Sequence, residues 1–319
     1  MIPRQNVRTV LGDVAPSELG VTFVHEHLII DSPLIADRWP EMHLPSVDDA
    51  VLEVSACRQA GVGAMVDAMP AASGRDVVRL AEISRRTGMH IVACTGLHTP
   101  KYYQGREWAL KESSEILAGL FVADIEEGVD AYDYTGPVVR RTSYRAGILK
   151  VATLGEQPTD RDRRVFASAA QTHDATNVPL LTHCEGGRGA MEQVELFRSL
   201  EVPLERIVIS HTDKVEDLGY HRDLLETGVN LEYDQALRRA GKETNATAAL
   251  LASMMEAGYR DQLMLGTDGA RRSLWRTLGG SPGLAWLHSD FVAQLVGIRL
   301  TADDLEAVFV RNPARFLAF

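Results

Sequence analysis

Eight short apolar runs, at 20–30, 63–67, 90–95, 146–150, 178–183, 206–211, 229–233 and 262–268, alternate with segments of helical periodicity, and this rhythm limits the possible folds more than any other feature. The runs are apolar at consecutive positions rather than at every second one, which is the pattern of strands covered on both faces. A helix between successive strands makes parallel pairing the simplest solution. Together these point to an α/β protein of the (β/α)8 TIM-barrel type, with a doubly wound open sheet as the rival. The rival calls for a glycine-rich phosphate turn after the first strand, and the sequence contains neither a Gly-x-Gly-x-x-Gly nor a P-loop pattern.

The intervening segments carry their own start and stop signals. Ser46 opens a stripe of Val47, Val51, Val54 and Cys57, with Asp48 and Asp49 in the first turn. A second helix is expected from Asp76 to Thr87, stopped by Gly88, and a third over the whole of 106–127. Thr159 with Asp160 and Asp162 caps a helix bearing Val165, Phe166, Ala169 and Ala170. In residues 1–19 the turn formers Gly12-Asp13 and Pro16-Ser17 suit a short hairpin laid over one end. The 319 residues, 45% hydrophobic, are enough for one barrel domain over 1–319 with long loops at its C-terminal face.

A formal net charge of -11, with no Lys/Arg-rich run, argues against a nucleic-acid partner. Cys57, Cys94 and Cys184 are odd in number and widely spaced, which fits neither a disulfide framework nor a zinc knuckle. With no uninterrupted apolar span of about 18 residues and no signal-peptide pattern, no membrane role is expected and a reducing, cytoplasmic location is.

Polar residues stand out where apolar ones are expected. His25 and His27 share one face of the first strand while Glu26 points away, because side chains alternate in extended chain. Alone, a His-x-His is as readily two satisfied histidines as a metal site. Yet Lys150, His183, His211 and Asp268 also sit at or near the C-terminal ends of the fourth, fifth, sixth and eighth runs, the end at which barrel enzymes build their sites. Burying such groups without partners costs several kcal/mol or forces them neutral.

The chain resembles the phosphotriesterase family of the amidohydrolase superfamily nearly end to end. The resemblance runs from Leu19-Gly-Val-Thr-Phe-Val-His-Glu-His27 through Ile148-Leu-Lys150, Thr182-His183, Ser210-His211-Thr-Asp213 and Gly266-Thr-Asp268 to Asn312-Pro-Ala-Arg-Phe-Leu317. It implies that His25, His27 and Asp268 bind a buried metal, that His183 and His211 bind a more exposed one, and that a carbamate made from Lys150 and carbon dioxide bridges them. Imidazoles and carboxylates suit zinc, or manganese, cobalt or iron. An ammonium cannot ligate, so Lys150 must lose its proton. Two such ions would share a hydroxide as nucleophile, with Asp268 taking and passing on the proton.

The expected activity is therefore hydrolysis of a small-molecule lactone, ester or amide, with organophosphate triesters as the alternative substrate class. A non-catalytic barrel that sequesters a ligand is the reading from another class. A homodimer is the oligomeric state the resemblance favours. His43, His90, His173, His221 and His288 are expected to be surface or satisfied-core residues. His98, after the third run, stands where family members carry a pocket aromatic. Better-known lactonases have an arginine after the seventh strand, where Tyr233 stands here. Arg271 and Arg272, just past Asp268, form a candidate carboxylate or phosphate clamp with His98 and Tyr233 as further substrate contacts.

Overall fold

The structure, a computed structural model, describes residues 5–319. It opens with the expected hairpin, an antiparallel pair of β1 (Val7–Thr9) and β2 (Gly12–Val14), but its turn falls on Val10-Leu11, and Gly12 and Asp13 pair in β2 with Thr9 and Arg8; the first four residues of the expected hairpin segment lie outside the described residues. Eight parallel strands follow: β3 (Val21–Glu26), β4 (Val62–Asp67), β5 (His90–Gly96), β6 (Ala146–Thr153), β7 (Leu180–Cys184), β8 (Ile207–Ser210), β9 (Asn230–Tyr233) and β10 (Leu263–Leu265). They pair in chain order from β3 to β10, with helices between them, in a nearly closed (β/α)8 barrel. The seam between last and first strand is drawn together just past β10, where the amides of Thr267 and Asp268 donate to the His25 carbonyl at 3.2 and 2.9 Å.

The helices begin where the caps place them. Ser46 accepts from the Asp49 amide and Asp76 from the Arg79 amide, and Thr159 with Asp162 forms a reciprocal capping box. Gly88 ends its helix at φ 68°, a left-handed conformation that favours glycine. Two expectations need correction. Residues 106–127 are not one helix but two, Glu107–Lys111 and Ser114–Glu126, because Glu112 turns extended and the Ser113 side chain caps the second. The strand carrying Lys150 does not end there: it runs on to Thr153, since Val151, Ala152 and Thr153 keep pairing with Thr182, His183 and Cys184.

Two apolar layers hold the barrel. Ile148, Leu181 and Val208 pack inside it, whereas Leu149, Leu180 and Ile207 on the opposite face meet the helices. The two-residue period then carries the interior face upward from Ile148 to Lys150, from Leu181 to His183 and from Val208 to Ser210. The polar residues thus cap an apolar plug and share a single face.

Candidate active site

β3 and the residue after it supply His25 and His27, β6 Lys150, β7 His183, and the turns past β8 and β10 supply His211 and Asp268. His211 (φ 67°) and Asp268 (φ 42°) both adopt the left-handed conformation, which costs a residue with a Cβ roughly 1 kcal/mol or more. The surroundings hold them there. The His211 amide donates to Asp234 Oδ2 at 3.1 Å, and the Asp268 amide is tied to the His25 carbonyl. Gly266 lets the chain pass close beside His25: an added Cβ would lie 2.8 Å from that histidine's own Cβ and 2.6 Å from Glu232 Oε1.

The ring nitrogens are sorted by their neighbours. His25 Nδ1 faces Ser210 Oγ at 3.2 Å and Glu232 Oε2 at 3.3 Å, which leaves Nε2 as acceptor for Lys150 Nζ at 3.0 Å. His183 Nε2 donates to Glu185 Oε2 at 3.1 Å. His211 Nδ1 lies 2.6 Å from Asp234 Oδ2, off the line of an ideal hydrogen bond but close enough to hold the ring proton on that side. Carboxylates behind the rings therefore turn the free lone pairs inward. Asp268 Oδ1 stands 3.4 Å from His27 Nε2 and 3.8 Å from His25 Nε2, and ligand atoms of these three residues all fall within 4.8 Å of one another.

The electrostatics favour unprotonated ligands. Burial holds His25 well below the usual histidine range, and burial with the neighbouring His211 brings His183 down to about 3. Burial also lowers Lys150, which favours the neutral amine. For Asp268 burial acts upward, but the Arg238 guanidinium and the bond to His27 outweigh it and keep the carboxyl ionised. Glu26 points away from His25 and His27 as expected and accepts from the Thr267 amide at 2.8 Å and its hydroxyl; burial pushes its carboxyl up to about 8.

A cleft of about 640 Å³ opens above this group. His27, Lys150, His183, His211 and Asp268 form its floor, and Trp39, Met42, Tyr102 and Leu274 give it an apolar side. His98 and Arg271, two of the expected substrate contacts, line it. Tyr233 and Arg272 do not. Tyr233 is fully buried and its hydroxyl pairs with His221 Nδ1 at 2.9 Å, because the β9 pleat turns it away from the cleft toward a neighbouring helix. Arg272 starts a 3-10 turn that swings it to the far side of the loop, where it donates to the His43 carbonyl at 3.3 Å. The other histidines set aside as non-site residues include His173 and His288, whose Nδ1 atoms donate to the carbonyls of Val178 and Ala60.

The cationic wall comes instead from residues the sequence did not single out. Lys101, Lys214 and Arg238 reach the cleft beside Arg271. Lys101 pairs with Glu185 at 3.3 Å and Arg238 with Asp268 at 2.8 Å, whereas Lys214 and Arg271 have no acidic partner within salt-bridge distance among the described residues. The only sequence signal for Lys214 was its place in the turn after His211; nothing in the spacing of Arg238 says which way it faces. No helix among the described residues is long and apolar enough to cross a membrane.

The sequence model of the phosphotriesterase family matches residues 5–317. A phospho-furanose lactonase of Mycoplasmopsis synoviae is 30% identical over 98% of this chain and 91% of its own length. Among solved structures, an amidohydrolase from Mycoplasma synoviae superposes with a TM-score of 0.93 at 28% identity, covering 100% of this chain and 93% of that one. A lactonase from Listeria monocytogenes gives 0.90 at 26% identity, covering 98% and 99%.

Proposed function

The chain belongs to the phosphotriesterase family of hydrolases, and from that membership we propose that it hydrolyses an anionic carbonyl substrate, a phosphorylated sugar lactone foremost. The observation that carries the reading is the cleft itself, where Lys214 and Arg271, with no acidic partner within salt-bridge distance among the described residues, stand above the cluster of histidines, Lys150 and Asp268. A neutral substrate leaves such cations unmatched; a phosphate or carboxylate gains charge-assisted hydrogen bonds of about 1.5 to 3 kcal/mol each. The phospho-furanose lactonase at 30% identity supports the same class.

The donor set fits a pair of divalent metal ions, zinc or its neighbours manganese, cobalt and iron. His25, His27 and Asp268 would hold one and His183 and His211 the other, with Lys150 bridging as a carbamate. Two features of the chain support this: carboxylates beside the outer nitrogens of His183 and His211, and burial that lowers Lys150 and so favours the neutral amine to which carbon dioxide adds. Such ions act as Lewis acids, polarising the substrate carbonyl and acidifying water.

The residues do the rest. Asp268 accepts the proton of the attacking water and returns it to the leaving oxygen. Lys214 and Arg271 anchor the anionic group, and Trp39 and Tyr102, edge to face with ring centres 5.1 Å apart, cover the apolar face of the ring. His98 Nδ1 accepts from the Thr99 amide at 2.7 Å, so its ring proton sits on Nε2 as a donor to substrate. Three buried, unpaired cysteines suit a reducing cytoplasm. That apolar side gives a second reading, an organophosphate triester, its support. Turnover of a phosphorylated lactone, its uncharged counterpart and an aryl dialkyl phosphate, with and without chelation, separates them. A triester turned over best would replace the first reading with the second.

A further inference from the structure

Arg238 follows β9 and spends its guanidinium on the turn that carries Asp268. Nη1 donates to the carbonyls of Thr267 at 3.0 Å and Asp234 at 3.3 Å; Nη2 donates to the Asp268 carbonyl at 2.6 Å and to Asp268 Oδ2 at 2.8 Å. One planar group therefore grips three carbonyls and a carboxylate. A fork of fixed geometry can do this, whereas an ammonium on a flexible stem cannot. The grip matters because Asp268 is a residue with a Cβ held at φ 42°. Released, the turn would relax and carry the carboxylate with it.

The grip also divides the two carboxylate oxygens. With Oδ2 on the guanidinium, only Oδ1 faces His27 Nε2 and His25 Nε2, at 3.4 and 3.8 Å. We propose that Arg238 is the positioning residue of the site: by binding Oδ2 and the carbonyls of Thr267 and Asp268, it presents Asp268 to the metal through one oxygen. The arginine bridges the loops after β9 and β10, so it sets the distance between Asp268 and the Asp234 that stands behind His211. Its role is geometric, and it differs from that of Lys214 and Arg271, which line the cleft with no acidic partner within salt-bridge distance among the described residues.

This inference rests on the metal-dependent reading above, and metal affinity tests both separately. Wild-type protein, Arg238→Ala and Arg238→Lys are stripped of metal, checked for folding by circular dichroism, and titrated with zinc against a chromogenic chelator. Activity is measured in parallel, with and without millimolar guanidinium ion. Arg238→Ala is expected to bind zinc roughly 10- to 100-fold more weakly, the usual scale for groups that orient ligands. Its kcat should fall by more than its KM rises, and guanidinium should restore both affinity and kcat in part. Arg238→Lys should remain impaired, and it decides the matter in the same way if the alanine variant does not fold. Unchanged zinc affinity with only KM raised would make Arg238 a substrate contact and overturn the proposal. So would a loss of affinity in Arg238→Ala that guanidinium does not repair. Wild-type protein that binds no zinc overturns the metal-dependent reading, and the inference with it; normal wild-type binding with unaltered variants overturns the inference alone.

Discussion

His183 Nδ1 and His211 Nε2 stand 2.8 Å apart, with Glu185 Oε2 3.1 Å from the other nitrogen of His183 and Asp234 Oδ2 2.6 Å from the other nitrogen of His211. With the ring protons on the carboxylate side, two lone pairs at that distance repel, and burial disfavours a charged His183. Under the metal-dependent reading, a cation between the two rings removes the repulsion. Chelation should therefore lower the melting temperature of wild-type protein, and His211→Asn, which replaces one facing nitrogen, should shrink that shift. Equal shifts in both proteins would deny the pair a metal.

Lys150 is expected to carry the carbamate. Lys150→Ala should lose metal and at least a hundredfold in kcat, with partial rescue by short carboxylic acids. Metal analysis of protein purified with bicarbonate checks it, and a full metal complement in the variant would refute the bridge.

Asp268→Asn keeps an oxygen for the metal and removes the proton acceptor. kcat should fall roughly 100-fold or more, with secondary structure intact by circular dichroism. An unaltered kcat would take Asp268 out of the reaction.

Substrate charge should be read by Lys214 and Arg271. Lys214→Ala and Arg271→Ala should each lower kcat/KM for a phosphorylated lactone by roughly tenfold or more, on the scale of one charge-assisted bond, and change an uncharged lactone little. Equal losses on both substrates would assign these cations to structure. Tyr233→Phe, by contrast, should leave kcat/KM within twofold and cost about 1 kcal/mol of stability, since its hydroxyl is spent on His221.

Acid should destabilise the metal-free protein through the His183–Glu185 pair. Burial, aided by His211, brings His183 from 6.5 down to about 3, and the hydrogen bond from His183 brings Glu185 from 4.5 down to about 2. Both folded values lie below the unfolded ones. Their stabilisation is therefore complete above about pH 6.5 and is lost as pH falls toward 3 and then 2. Urea unfolding at pH 7 and pH 4 measures this, and His183→Gln should flatten the difference.

The sequence by itself determined the barrel, since eight doubly covered strands separated by helices have few other ways to close, and it brought His25, His27, Lys150, His183, His211 and Asp268 to one mouth through their places near strand ends. Those positions follow from local periodicity. What local pattern cannot specify is the direction of side chains beyond a strand end, where each depends on a turn held by residues distant in sequence. Tyr233 was expected in the cleft, but the pleat of β9 sends it to His221; Arg272 was expected beside Arg271, but a 3-10 turn sends it to the His43 carbonyl. Lys101, Lys214 and Arg238 enter the cleft from three separate loops, so their convergence exists only once the barrel has closed and set those loops side by side.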